Sequence, residues 1–310
     1  MQRSIKLKPK HKAESFNFEA IGTSWQIVIF EAIAPAQLTA MHSAVFERIE
    51  EFDKNYSRFR SDSLVAKMSK KAGDYILPPD ARPLLDFYKQ LYDTTNGLVT
   101  PLIGDSLVAA GYDSNYSLQP KTIKKSLSWD EALVYDYPKL KIKMPTVLDF
   151  GAAGKGYLVD IIANLLQTHN ILNYCINAGG DIAYYTNSDK ELSVALENPS
   201  DSTEAIGVAK LHNNSLCGSA GNRRAWSGYN HIINPKSLRS PRRIKAVWVI
   251  AGSTMLSDGL STALFFTNPQ TLAAYFKFEY AIISGKNNLR ASKNFPAEFF
   301  TNNQNVQETK

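Results

Sequence analysis

Apolar and polar residues alternate along the chain from Phe16, and the run SWQIVIF predicts a strand over 24–30. Leu38, Met41, Ala44, Val45, Ile49 and Phe52 then fall at helical spacing, which predicts a helix over 36–52. A polar and aromatic loop over 53–63 follows, and Ser63 is placed to cap a short helix over 64–69. Pro79 opens another helix that turns Leu84, Leu85, Tyr88 and Leu91 inward and stops at Asn96-Gly97. Residues 97–104 read as a loop bordering a ligand, and 113–146 as strands and turns punctuated by Pro120, Pro138 and Pro145.

The pattern changes most sharply between Val147 and Ala183. A short apolar run, 147–150, has strand character and enters the loop Gly151-Ala152-Ala153-Gly154-Lys155-Gly156. From Tyr157 the period becomes helical, with Leu158, Ile161, Ile162, Leu165 and Leu166 on one face, up to His169-Asn170. Tyr174-Cys175-Ile176 predicts a second buried strand, ending in Asn177-Ala178-Gly179-Gly180-Asp181. Two glycine-rich strand ends joined by one helix suit a site where backbone must approach a ligand closely. The familiar nucleotide fingerprints do not fit. Only two residues separate Gly151 from Gly154, Gly156 rather than Ser or Thr follows Lys155, and Gly154-Lys155-Gly156 runs into Tyr157-Leu158-Val159.

Beyond this unit, short strands are expected over 192–196 and 207–211, then a polar glycine-bearing segment over 217–226 and the run Tyr229 to Lys236. A basic turn, Arg239 to Arg243, precedes a strand over 246–251 and a final strong helix over 254–266. The reading is one domain over 16–297, flanked by a flexible basic arm (1–15) and a frayed Asn/Gln-rich tail (298–310).

Composition narrows the function classes. A chain of 310 residues, 44% hydrophobic, buries a large core. Its 35 Lys and Arg against 29 Asp and Glu give +6, a mild preference for phosphates or acidic small molecules. No helix bears a sustained Lys/Arg stripe, so nucleic acid is not the expected partner. The two cysteines, Cys175 and Cys217, make neither a CxxC pair nor a disulfide framework. No apolar run reaches the length of a transmembrane helix, and the Lys-rich start lacks the apolar stretch of a secretory signal. The protein is therefore expected to be cytoplasmic.

Asp258 and Thr262 share one face of the last helix at i and i+4. Both offer oxygen, the donor Mg2+ takes together with phosphates and waters. By spacing alone, Asp258 on the helix's wet side is the simpler reading. His231 is open between a structural and a catalytic role, Lys155 between a phosphate ligand and a surface lysine, and Arg223 and Arg224 between a phosphate clamp and solvated surface.

Taken in order, these segments resemble the FAD:protein FMN transferase (ApbE) family over most of the chain. The matching pieces are Gly22-Thr23-Ser24-Trp25, the loop 57–63, Leu148 to Tyr157, Asn177 to Asp181, Ser219 to Arg224, His231 to Pro235, and Met255 to Leu264. The resemblance implies an α+β, T-fold-like architecture of two related lobes with FAD in the cleft between them. It implies Mg2+-dependent transfer of FMN from FAD to a Thr or Ser hydroxyl of an acceptor protein, releasing AMP. By position, the metal falls to the Gly154 carbonyl, Asp258 and Thr262, with His231 and Asp258 as catalytic residues. Gly22, Thr23, Phe59, Leu98, Val99, Thr100, Lys155, His231 and Ile232 fall at positions bordering FAD.

The sequence departs from the family's pattern in places. Asn234 stands where His-Ile-Ile-Asp-Pro is usual, Leu98-Val99-Thr100 precedes Pro101 where Phe-Asp-Pro is usual, and Gly218 and Ala220 stand where Thr and Gly are common. These departures leave open a different acceptor protein, or FAD binding without transfer; hydrolysis of FAD to FMN and AMP is a separate alternative.

Overall fold

A computed structural model describes residues 13–222, 224–285 and 288–300, together with the backbone of 306–309. The chain opens with an antiparallel pair, β1 (Glu14–Ala20) and β2 (Thr23–Ile29), and helix α1 (Pro35–Tyr56). Next come α2 (Leu64–Met68), β3 (Gly73–Ile76), α3 (Ala81–Thr94), α4 (Gly104–Ala109), α5 (Trp129–Ala132), β4 (Leu133–Asp136) and β5 (Lys139–Ile142). The central unit supplies α6 (Gly154–Thr168), β6 (Tyr174–Ala178) and β7 (Asp181–Tyr185). Strands β8 (Leu192–Asn198), β9 (Asp201–Leu211) and β10 (Asn214–Ala220) lead to a small hairpin, β11 (Ala225–Trp226) and β12 (Tyr229–Asn230). The remainder is β13 (Ile244–Ala251), α7 (Thr254–Ala263), α8 (Pro269–Ala273), β14 (Phe278–Ser284), β15 (Leu289–Ser292), β16 (Ala297–Phe299) and β17 (Val306–Thr309).

A nine-stranded sheet, in the order β1-β2-β6-β7-β10-β13-β14-β15-β17, is the frame of the molecule. All its pairings are antiparallel except β15 with β17. Alternation puts two apolar faces on this sheet. Trp25, Ile27, Ile176, Val247, Val249 and Ile282 join one core with Met41, Val45 and Phe52 of α1 and Leu158 and Ile162 of α6. On the opposite face Cys175, Ile182, Leu216, Trp248 and Ile250 pack with Leu192, Leu196 and Leu211 of a three-stranded sheet, β16-β9-β8. A second lobe, built from α2 to α5 and the sheet β3-β5-β4, meets the first where α3 packs on α7. The expected α+β, two-lobed class is what the chain adopts.

Several boundaries differ from the sequence reading for identifiable reasons. Residues 147–150 form no ladder; the Val147 amide donates to Asp105 Oδ2 (3.2 Å) and the Asp149 amide to the Pro101 carbonyl (2.7 Å). Their apolar side chains, Leu148 and Phe150, are still core. Helix α6 begins at Gly154 rather than Tyr157, so Lys155 stands in a helical first turn, not a loop. Helix α1 runs one turn past Phe52, and α7 stops at Ala263. Ser63 caps α2 as expected, its hydroxyl accepting from the Ala66 amide at 3.0 Å. Glu14 and Ser15 are already in β1, whereas 1–12 lie outside the described residues. At the other end β16 takes in Glu298 and Phe299, and β17 adds a strand within the stretch expected to fray.

Helices α6 and α7 approach closely at Gly156. A Cβ there would lie 2.4 Å from the Thr254 carbonyl oxygen and 2.7 Å from the Asp258 Cβ. Backbone cannot swing aside as a side-chain tip can, so Gly156→Ala must separate α6 from α7. A loss of about 1–3 kcal/mol is expected from such overpacking, measured as a shift of the urea midpoint at unchanged slope.

Candidate functional site

The site is built where the first turn of α6 meets α7. The Gly156 amide donates to Asp258 Oδ2 at 2.9 Å, so a carboxylate of α7 satisfies one of the orphan amides of α6. The favour is returned one turn along: Asp160 of α6 accepts from the Thr254 and Met255 amides (2.7 and 2.9 Å), the first two residues of α7. Ser253 completes that helix start by accepting from Leu256 at 3.2 Å. Each helix therefore caps the other, and the two cannot slide without breaking charged hydrogen bonds.

Asp258 is 6% exposed and Asp181, at the start of β7, 2%. Burial, reinforced by the neighbouring Asp181 carboxylate, pushes the Asp258 carboxyl well above its ordinary range, while Lys155 and the Gly156 amide oppose the shift. Lys155 pairs directly with Asp181. Burial works against its ammonium charge, but Asp181 and Asp258 outweigh burial and hold it above the ordinary lysine range. Cys217 reaches the same cluster, its thiol pushed up by burial and by the two carboxylates and donating to the Thr254 carbonyl at 3.5 Å. The result is a buried cluster of two carboxyl groups and one lysine, in which Lys155 pairs with Asp181 and the Asp258 carboxyl resists ionisation.

Thr262 lies one turn from Asp258, half-buried on α7. Gly154 is different from what its place in a loop implied. As the first residue of α6 it directs its carbonyl along the helical ladder, and the Ala153 carbonyl accepts from Tyr157 at 2.9 Å. The Gly151 and Ala152 carbonyls precede that ladder. Tyr88 fixes this segment, its hydroxyl accepting from the Ala152 and Ala153 amides at 3.1 and 3.2 Å.

The flanking residues gather around the same place. The turn Ile21-Gly22 between β1 and β2 brings Thr23 against Gly179, where a Cβ would fall 2.0 Å from Thr23 Oγ1; Gly179 also has φ of +59°. Phe59 stacks on Tyr116 (centroids 5.5 Å apart, planes 9° apart) and meets Tyr112 edge-on. Arg58 lies over Phe59 at 4.1 Å, ion-paired to Asp149 at 2.5 Å and donating to the Tyr112 carbonyl at 2.8 Å. Its remaining nitrogen, Nη2, is buried without a hydrogen-bond partner among the described residues, as is Nδ1 of His231. The His231 amide donates to the Arg224 carbonyl at 3.2 Å; Arg223 lies outside the described residues. Ile232 is core, 4% exposed. Val99 is also core, the Thr100 hydroxyl accepts from the Leu102 amide at 3.2 Å, and Leu98 is half-buried.

The ApbE family model matches residues 21–283. The chain belongs to the ApbE family. Among curated proteins it is similar to an FAD:protein FMN transferase of Vibrio cholerae, 22% identical over 79% of this chain and 78% of that protein. A Klebsiella pneumoniae protein of the same name is 23% identical over 84% and 81%. The ApbE protein of Thermotoga maritima shares its fold at a TM-score of 0.81, with 18% identity over 93% of this chain and 100% of that one. The flavin transferase ApbE of Vibrio cholerae superposes at 0.74, with 18% identity over 94% and 98%. The chain is a transferase of this family.

Sequence reasoning named Asp258, Thr262 and Lys155 but assigned no role to Asp181, Asp160, Arg58 or Tyr88. Asp160 carried a signal, a carboxylate four residues after Gly156 on a helix otherwise apolar on that side.

His231 gives the site a pH signature. Burial, and secondarily the positive charge of Arg224, lower its pKa from 6.5 to about 4. The unfolded chain therefore takes up a proton between pH 6.5 and 4 that the folded chain refuses, so this group's contribution to stability falls as pH drops through that window. His231→Gln should remove it. Urea midpoints at pH 7 and 4.5 are expected to differ less for the variant than for the parent protein.

Proposed function

We propose that this chain transfers FMN from FAD to a Ser or Thr hydroxyl of an acceptor protein with the help of Mg2+, releasing AMP. The observation that carries this reading is the convergence of two buried carboxyl groups, Asp181 and Asp258, with Lys155 where α6 and α7 meet. Burial and the neighbouring carboxylate oppose ionisation of Asp258, and a cation sharing the site would favour it. Among the described residues no group of three or more His, Cys, Asp or Glu side chains converges, so the donor set fits a hard cation that relies on substrate oxygens rather than an all-protein cage. Asp258 and Thr262 are the side-chain donors. The third is a carbonyl of the preceding loop: Gly154 from the sequence pattern, or Ala152, which lies outside the helical ladder. Bound there, Mg2+ neutralises charge on the pyrophosphate.

The chain's own groups account for the rest. Lys155 holds a phosphate oxygen, and the Lys155 amide in the first turn of α6 faces the same charge. Phe59, Tyr112 and Tyr116 offer aromatic surface to the rings of FAD. The acceptor hydroxyl oxygen forms a bond to the FMN phosphorus, the anhydride bond to the AMP phosphate breaks, and AMP leaves. His231, neutral at pH 7 with an unpartnered Nδ1, receives the hydroxyl proton. An acceptor facing the cytoplasm is part of the same proposal, checked by fractionation; among the described residues no helix is long and apolar enough to cross a membrane.

Incubation with FAD, Mg2+ and a cell extract should produce a protein band with in-gel flavin fluorescence and a mass increase of one FMN. Free FMN and AMP without a labelled band would instead establish hydrolysis, and intact FAD would leave a binding protein. Lys155→Ala is expected to weaken FAD binding about tenfold, the scale of a charged hydrogen bond. Asp258→Asn should abolish labelling while the metal-free protein melts no lower than the parent, because a buried charge beside Asp181 is removed. Thr262→Val should be milder, since water replaces a hydroxyl.

A further inference from the structure

From Ala205 to Ser257 the chain contains no Asp or Glu, yet it contains eight Lys or Arg. The structure folds the middle of this stretch into one exposed surface beside the site. Hairpin β11–β12 turns through Ser227 and Gly228, both at positive φ (41° and 84°), and faces the turn 236–243. Asn234 shapes that turn with a neutral side chain, its Oδ1 accepting from the Lys236 and Ser237 amides at 2.9 Å each. Ser240 ties turn to hairpin, accepting from the Asn230 amide at 2.9 Å and donating to the Asn230 carbonyl at 3.3 Å. Between them lies an open cavity of about 430 Å³, lined by Trp226, Tyr229, Asn230, Ser240, Pro241 and Arg242. Lys236, Arg239, Arg242 and Arg243 are exposed, and none is ion-paired to a carboxylate among the described residues. Asn230 immediately precedes His231, so the cavity is continuous along the chain with the site.

We infer that this surface docks an acidic, extended segment of the acceptor polypeptide and so presents its hydroxyl to the site. The identity of the partner as the acceptor rests on the transferase reading; the surface and its charge preference do not. Local cations without carboxylate partners complement Asp and Glu side chains, and such a rim speeds encounter and selects partners. Polypeptide is favoured over nucleic acid because neither aromatic residue of the cavity stands free for stacked bases: Trp226 is 9% exposed with its indole donating to the Ala110 carbonyl at 2.7 Å, and Tyr229 is half-buried against the same cluster.

The probe is a fluorescein-labelled dodecapeptide of alternating Glu and Ser/Thr, compared with the same peptide carrying Gln for Glu, by fluorescence anisotropy on the full chain. The Glu peptide should bind about tenfold more tightly than the Gln peptide, weaken with added salt, and lose that advantage in Arg239→Glu/Arg242→Glu/Arg243→Glu. FAD affinity, followed by flavin fluorescence, and the melting temperature should be unchanged in the same variant. Equal binding of the two peptides, full binding by the triple variant, or a single-stranded RNA of matched charge binding more tightly than the Glu peptide would overturn the inference. A parallel loss of FAD affinity would overturn it too, by assigning the arginines to FAD. Selective peptide binding by a protein that transfers no FMN supports the docking surface and removes only the proposed function.

Discussion

Everything at the site hangs on one contact, the carboxylate of Asp258 against the Gly156 amide. It holds the start of α6 to the middle of α7, and Asp160 answers it by holding the start of α7 to α6. Two helix N-termini, each a concentration of unpaired amides with partial positive charge, are closed by carboxylates from the opposite helix. Such a joint tolerates no side chain at its narrowest point, which is why residue 156 is glycine although glycine is a poor helix former. The nine-stranded sheet and the α1 layer hold this joint in place, and the second lobe closes on it through Phe87 and Gly259, where a Cβ would lie 2.5 Å from the Phe87 ring.

The same contact explains the electrostatics. Burial and the Asp181 carboxylate raise the Asp258 carboxyl, and Lys155 and the Gly156 amide only partly oppose them. A carboxyl whose ionisation a cation would favour, next to a helix start that itself favours anions, suits the simultaneous arrival of a cation and a phosphate.

The sequence made the order of the glycine segments legible, along with the shared face of Asp258 and Thr262 and the alternation of the central strands. Those features are local, set by spacing along one element. What escaped is non-local. The helical character of Gly154-Lys155-Gly156 is hidden because glycine reads as a loop residue, whereas Gly156 serves the close approach of α6 to α7. The run Val147 to Phe150 looks like a strand because it is apolar, but its Val147 and Asp149 amides are taken by Asp105 in α4 and by the Pro101 carbonyl just before it. Asp160, Tyr88 and Arg58 act on backbone or carboxylate groups far along the chain, and no periodicity announces such partners. Val99 shows the converse: its place in a family pattern does not announce that its side chain is packed in the core.

If the buried charge at the α6–α7 joint exists to receive a cation together with a pyrophosphate, the two ligands must reinforce each other by the same factor in either order. Calorimetric titration of FAD into the protein with and without Mg2+, and of Mg2+ with and without FAD, measures both arms of that cycle. The account predicts tighter FAD binding in Mg2+, an equal gain for Mg2+ in FAD, and loss of the coupling in Asp258→Asn. FAD affinity indifferent to Mg2+, or coupling that persists in Asp258→Asn, would contradict it.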